Sequence, residues 1–529
     1  MESDEAQFTY SIMSTFYRIA FSCWLLLSAA SLSAELRLPD VFTDHMVLQR
    51  DQPVPVWGKA SAGATITVRF AKQTVQAVAN QEGHWKLMLN PMEASAEPAT
   101  LSVSGDGSLE LEDVLVGEVW LCTGQSNMQW RLLESAGGAE AIAAADFPEI
   151  RLFNVSRSVA FGREEGQLAS WELISPETVP EFSGIGYFFG TDLYRRLGIP
   201  IGLINASYGG SQAEAWTPRS YLAADTALLP TIEREAVWAA ERPRVQAEFD
   251  RAMVEWESAR TAAAESGVPA PRRPRVPDAL RDYRIAGSIY RNMIEPLIPF
   301  AIRGALWYQG ESNEERAEQY EGLLTTMIRS WREKWEQGDY PFAIVQLPNF
   351  RAVAEAPEDE AWSHLRDRQR RVAETVPNTG LIVTIDLGEA DDIHPPNKAD
   401  VGLRLSRWAL ADVYGQEIVA GGPRFQRAEF TDGEAVLYFD RVGEGLTTSD
   451  GAAPAEFAVA GSDGTWDWAE AEIVAKDKII VRSAAIDRPV AVRYAFNRNP
   501  ARPNLTNDSG VPASPFRTDD FTGPTHGLR

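Results

Sequence analysis

The chain has 529 residues, 44% of them hydrophobic and 10% aromatic, which excludes a disordered or fibrous protein and suggests about three domains. Its formal charge of −25 argues against nucleic acid or an anionic membrane surface as partner, since both attract basic surfaces. Neutral or modestly charged small substrates suit it better.

Residues 19–30 form a short apolar run, followed by a small-residue site ending at Ala34. This predicts an export signal over 1–34, cleaved before Glu35, and a secreted or periplasmic protein. The acids Glu2, Asp4 and Glu5 do not suit a signal, so Met13 is the expected start. The run is too short to span a bilayer, and no membrane insertion is expected. Cys23 would leave with the signal, making Cys122 a lone buried thiol.

From 35 to 115 the pattern is β. Ile66, Val68 and Phe70 alternate with polar neighbours, and Trp85, Leu87 and Leu89 follow a Glu82-Gly83 turn, predicting a small sandwich module. From 116 to 420, buried strands at 201–205, 301–308, 342–347 and 381–386 alternate with helical stretches, the signature of a parallel sheet. The clearest helix carries an apolar stripe of Tyr320, Leu323, Leu324, Met327, Ile328, Trp331 and Trp335. Between 221 and 284 the composition turns to Ala, Glu and Arg and then to proline. This predicts a helical insertion with a solvated charged face and a Pro-rich return strand. From 421 to 529 alternation returns, with a hairpin at Asp463-Gly464, predicting a second β module.

Three motifs carry chemistry, each just beyond an apolar strand and so at the carboxyl edge of the sheet, where ligands bind in open α/β folds. In GQSN (124–127), Ser126 is placed to attack a carbonyl, with nearby backbone N–H groups facing the oxyanion; alone, such a serine reads more often as a helix cap. In DDIH (391–394), His394 is the one histidine of five at such an edge. Asp391, three residues before it, is favoured to orient Nδ1, with Asp392 as rival. In WYQGESN (307–313), Gln309 and Asn313 bear amides suited to a carbonyl oxygen, while Glu311 is expected to tie loops together. Gly209 and Gly210 offer a further backbone donor. Trp130, Trp216, Trp307 and Tyr308 lie in or beside these loops, where aromatic faces suit sugar rings, although core packing explains at least half of them. No second histidine lies near His394, so a zinc site is not expected, with calcium at Asp391 and Asp392 the lesser alternative; no cofactor is expected.

With TDHMVLQRDQPVPVWG (43–58), GQSNMQW (124–130), AEAWTP (213–218), DDIHPPNKADVG (391–402) and NLTNDSGVPASPFRTD near the end, the chain resembles the sialate O-acetylesterase group of the SGNH (GDSL-like) hydrolases along nearly its whole length. The resemblance implies a flavodoxin-like SGNH domain of α/β class flanked by N- and C-terminal β-sandwich modules. It implies metal-free esterase chemistry, with Ser126 as nucleophile, His394 as base and Asp391 orienting it. The oxyanion hole would combine the Ser126 N–H, a glycine N–H with Gly210 favoured over Gly209, and a side-chain amide. Aligning on Gly310 places Ser312 where that superfamily has asparagine, so Gln309 is favoured for the amide. Trp130 and Asn313 would touch an acetylated carbohydrate. Arg131 stands where relatives carry proline, at the substrate rim.

The acyl groups removed could equally sit on xylan or another plant polysaccharide, since a charge of −25 sits awkwardly with anionic sialic acid unless arginines such as Arg131 offset it. A non-catalytic carbohydrate-binding protein is the reading from another class.

Overall fold

The computed structural model describes residues 35–157 and 169–528; the export signal expected over 1–34 lies outside the described residues. The described residues form two compact units.

The first unit takes in residues up to Pro39, then 55–89 and 100–111. The strand Thr65–Phe70 pairs antiparallel with Gln73–Val78, and its residues 67–69 with 102–104. Ile66, Val68 and Phe70 are buried while Thr65 and Arg69 are exposed, so the period-two pattern is the pleat of a sheet with one face covered.

The second unit comprises 40–54, 90–99 and 112 to the end. At its centre is a sheet of β1 (Ser108–Gly124), β2 (Phe147–Asn154), β3 (Trp171–Ile174), β4 (Ile201–Ser207), β5 (Gly304–Tyr308), β6 (Phe342–Val345) and β7 (Thr379–Ile382). The spatial order is β7-β6-β5-β1-β4-β2-β3, parallel throughout except for β3. From 114 onward every residue of β1 is buried, because β4 and β5 pair with its two sides and helices cover the sheet; the continuous apolar run follows from that central position. The chain winds first to the β4–β2 side and then to the β5–β7 side, which opens a crevice beyond the end of β1.

Of the helices, α1 (Gly184–Leu197), α2 (Leu229–Ser266), α3 (Ala317–Trp335), α4 (Ala361–Thr375) and α5 (Lys398–Trp408) matter most below. The predicted stripe on α3 is buried from Tyr320 to Trp335. The insertion is helical as expected, since α2 spans 38 residues, but the Pro-rich return at 268–277 pairs with no strand. Pro269, Pro271, Pro274 and Pro277 have no N–H to give a ladder.

Beyond 421 the chain forms the expected second β module as a seven-stranded antiparallel sheet, where the family resemblance implied a sandwich. Ala460 faces Trp466 across the predicted hairpin. Its apolar side packs on Val383 and Ile385, so these strands share one core with the end of the parallel sheet.

Candidate active site

Registration of three strands builds the site. Gly124 at the end of β1 lies level with Ser207 of β4 and Tyr308 of β5, so the loops after all three strands leave the sheet side by side. Gly124 is needed for this: its φ is +132°, and a Cβ there would sit 2.2 Å from the Tyr308 carbonyl oxygen. Directly after it, Ser126 opens a single helical turn, Ser126–Gln129, whose first N–H groups have no intrahelical acceptor.

His394 arrives from further away. The expected strand at 381–386 is instead β7, Thr379–Ile382, at the far edge of the sheet, three places from β1. The segment 383–397 crosses back over the edge and delivers the imidazole to the serine, with Nε2 2.8 Å from Ser126 Oγ. The Trp130 indole stacks on the imidazole, with centroids 5.2 Å apart and planes 18° apart.

The acid beside that imidazole is Asp392, not Asp391. Asp392 Oδ1 accepts the His394 backbone N–H at 2.8 Å and lies 3.8 Å from Nδ1, whereas Asp391 is exposed and has no hydrogen bond or ion pair among the described residues. A tight turn decides this, since a carboxylate two residues back that caps the backbone N–H is brought to the Nδ1 side of the ring. Burial lowers the His394 pKa below the usual imidazole value and the Lys398 ammonium lowers it further, against the opposing carboxylates of Asp392 and Glu134.

The predicted oxyanion donors separate. Gly210 (φ +72°) lines the same cleft as Ser126, and its N–H has no acceptor among the described residues. The Gly209 N–H is taken by Gln129 Oε1 at 2.6 Å, which pins this loop to the serine turn. Gln309, favoured from sequence as the amide donor, is fully buried, and its amide hydrogens go to Asn313 Oδ1 at 2.7 Å and the Ser211 carbonyl at 3.2 Å. Asn313 is also buried, donating to Glu214 Oε2 and accepting from the Ala213 N–H, so both ends of its amide are engaged inside the protein. Trp216, Trp307 and Tyr308 are core residues. The Cys122 thiol is buried, and burial pushes its pKa up to about 12.

Two features escaped the sequence reading. One is a buried chain of polar groups beneath the serine, in which Asn127 Nδ2 donates to Glu311 Oε1 at 2.7 Å and to the Ile393 carbonyl at 3.0 Å, while Asn127 Oδ1 accepts from Lys398 Nζ at 2.6 Å. Glu311 thus ties loops together as expected. Its buried carboxylate has a raised pKa, because burial outweighs the help of Asn127 and Lys398, and burial lowers Lys398 to about 7. The other is an open cleft lined by six arginines, at 234, 275, 281, 284, 316 and 351, against Asp278, Glu311, Glu314 and Glu315. Arg234 and Arg316 share the single buried Glu214, and Arg281 and Arg284 share Asp278. Arg275 has no ion-pair partner among the described residues, and the cleft carries an excess of positive charge. Arg131 does not contribute to it, being paired with both Glu134 and Glu181. A net count of −25 concealed this local balance.

A family model described as "Carbohydrate esterase, sialic acid-specific acetylesterase" matches residues 278–410, the stretch that supplies both the WYQGESN and DDIH loops. The crystal structure of a carbohydrate acetylesterase from Xanthomonas citri superposes with a TM-score of 0.77 at 36% identity, covering 92% of this chain and 100% of that one. The chain belongs to the sialate O-acetylesterase family. Mouse (Mus musculus) sialate O-acetylesterase is 27% identical over 544 residues, covering 93% of this chain and 96% of that protein. The human (Homo sapiens) enzyme is 28% identical over 443 residues, 76% of each. As a member of this family the protein is an esterase, a carbohydrate O-acetylesterase, and not a non-catalytic binding module. Among the described residues no helix is long and apolar enough to cross a membrane.

Proposed function

We propose that the protein removes acetyl groups from sugars by serine catalysis of the SGNH type, and the observation that carries this reading is the 2.8 Å approach of His394 Nε2 to Ser126 Oγ. Ser126 Oγ attacks the acetyl carbonyl carbon as its proton passes to Nε2. The oxyanion is held by the N–H groups of Ser126 and Gly210, a hole built from backbone without Gln309. The sugar–oxygen bond to the acetyl carbon breaks, and the leaving alkoxide takes the proton from His394. Water then attacks the acetyl-serine, gives its proton to His394, and releases acetate as Ser126 recovers its hydrogen. Asp392 acts as the orienting acid, holding the imidazole so that Nε2 faces the serine.

The chain is read as an SGNH domain over 116–420 interrupted at 221–284, with β modules at 35–115 and 421–529. The apolar run at 19–30 supports export of such an enzyme towards extracellular or periplasmic glycans.

The substrate read from the cleft is an acidic sugar such as an O-acetylated sialic acid. Guanidinium groups that outnumber nearby carboxylates, with Arg275 unpaired among the described residues and exposed to the cleft, favour a ligand that brings its own carboxylate. This supports sialate over neutral acetylxylan, despite the acidic surface elsewhere. Acetate release is to be measured on an O-acetylated sialoside and on acetylxylan at matched acetyl content; a higher kcat/KM on xylan would reject the acidic substrate. Ser126→Ala is expected to abolish turnover on both while the protein stays folded.

A further inference from the structure

The ammonium of Lys398 is in an unfavourable place. The residue is 1% exposed and occupies the first position of α5, where the helix dipole opposes a cation. The surroundings offset this with three groups: Asn127 Oδ1 at 2.6 Å, the Trp130 ring with Nζ 5.4 Å from its centroid, and the Glu311 carboxylate on the other side of the Asn127 amide. A buried charge held at such a cost next to a reacting pair calls for a role beyond packing.

Asn127 supplies it. Asn127 follows the serine, and the carbonyl it binds belongs to Ile393, the residue before His394, so this one amide joins the serine turn to the histidine loop. An amide can lie two ways round. With Lys398 donating to the oxygen and Glu311 accepting from the nitrogen, one orientation satisfies every partner. The reverse sets NH2 against NH3⁺ and oxygen against both a carboxylate and a carbonyl.

We propose that Lys398 is a positioning residue of this esterase: its ammonium fixes which way the Asn127 amide faces, and thereby keeps Ser126 Oγ and His394 Nε2 within hydrogen-bond reach. The proposal rests on the serine mechanism above. A second consequence follows from charge. The ionic groups acting on His394 are Lys398 from α5, Asp392 from its own loop and Glu134 from the 3-10 turn Leu132–Glu134, and only Lys398 favours the neutral ring. Those facing Lys398 are Glu311 from the β5 loop and Asp392 and Glu389 from the segment before α5. A positive Lys398 therefore keeps the imidazole available as a base to lower pH.

The test compares Lys398→Met with the double variant Lys398→Met/Glu311→Gln, which leaves no unpaired buried charge and preserves an acceptor for Asn127 Nδ2. Circular dichroism and thermal melting check folding, and an aryl acetate reports kcat and KM across pH. Lys398→Met is expected to lower kcat about tenfold or more with KM changed less than about twofold, and to move the acid limb of kcat/KM up by about half a pH unit. The double variant is expected to regain thermal stability while keeping the low kcat and the shifted limb, which a merely structural lysine would not do. A folded double variant with unaltered kcat and acid limb, or one changed in KM alone, overturns the proposal. Ser126→Ala is assayed alongside: turnover there sinks the serine mechanism itself, whereas a dead Ser126→Ala beside an unaffected double variant sinks only the role of Lys398.

Discussion

At the edge of the parallel sheet, hydrogen bonds run from Glu311 through Asn127 to Lys398 and from His394 to Ser126, with the Asp392 carboxylate 3.8 Å from the imidazole Nδ1. In the cleft wall to which the insertion contributes, six arginines face four lining acids and the buried Glu214, with two arginines on Asp278, two on Glu214, Arg351 on Glu314 and, among the described residues, no acid on Arg275. Side chains that hold one another in this way have fixed geometry, with Glu311 Oε2 and the Trp130 indole N–H left without a partner among the described residues. A wall with surplus charge has affinity left over and waits for a ligand. On the proposed reading, chemistry and recognition divide between two regions of one compact unit, the first on the scaffold and the second partly on an excursion from it.

That division breaks most visibly at the serine. Ser126→Ala is expected to lower kcat by about 10³-fold or more on any acetyl ester, with the melting temperature little changed, because binding and backbone donors alone leave only residual catalysis. Next in size is the orienting acid. Asp392→Asn is expected to cost on the order of 10²-fold in kcat, less than a tightly bonded triad acid because its carboxylate stands 3.8 Å from Nδ1, while Asp391→Asn stays within about twofold. Equal losses in the two variants would return the role to Asp391. On the wild-type enzyme, the acid limb of kcat/KM is expected below about 6.5, since a base with a depressed pKa loses its proton at lower pH and activity falls only as pH drops through that value. A pH–rate profile on an aryl acetate reads it directly.

The part of this arrangement visible in sequence is the part set by local pattern. Buried strands announce themselves as apolar runs, and the loops after β1 and β5 inherit their place from those runs, so Ser126 and the WYQGESN loop could be placed without coordinates. The period of α3 did the same for its buried stripe. What could not be read depends on partners distant in the chain. Gln309 and Asn313 carry the right functional group, but their hydrogens are claimed by Ser211 and Glu214, about a hundred residues away, and nothing in the motif records that. Asp391 and Asp392 differ by the direction of one turn. The insertion's helix is the solvated face expected, with only Thr231 and Ala263 buried, but Arg234, Arg275, Arg281 and Arg284 line the cleft, where the charge balance also involves Glu214 and Arg316. Lys398 carried a faint signal, a lysine at a helix start immediately after the DDIH loop, where a cation is electrostatically misplaced.

The smallest effects sharpen the contrast between arginines. Arg275→Ala, which removes a cation with no acid partner, is expected to raise KM for an O-acetylated sialoside about five- to tenfold while leaving the constants for a neutral aryl acetate unchanged. Arg131 is equally close to the rim in sequence terms, standing between Trp130 and the turn that carries Glu134, yet its guanidinium already spans Glu134 and Glu181. Arg131→Ala should therefore leave KM for both substrates within about twofold. It would instead release Glu134, whose charge favours the protonated imidazole, and so nudge the acid limb upward by a few tenths of a pH unit. If Arg131→Ala weakened the acidic substrate as much as Arg275→Ala, pairing within the free protein would be no guide to which arginines meet the ligand, and the recognition assigned to the insertion would have to be shared with the rim.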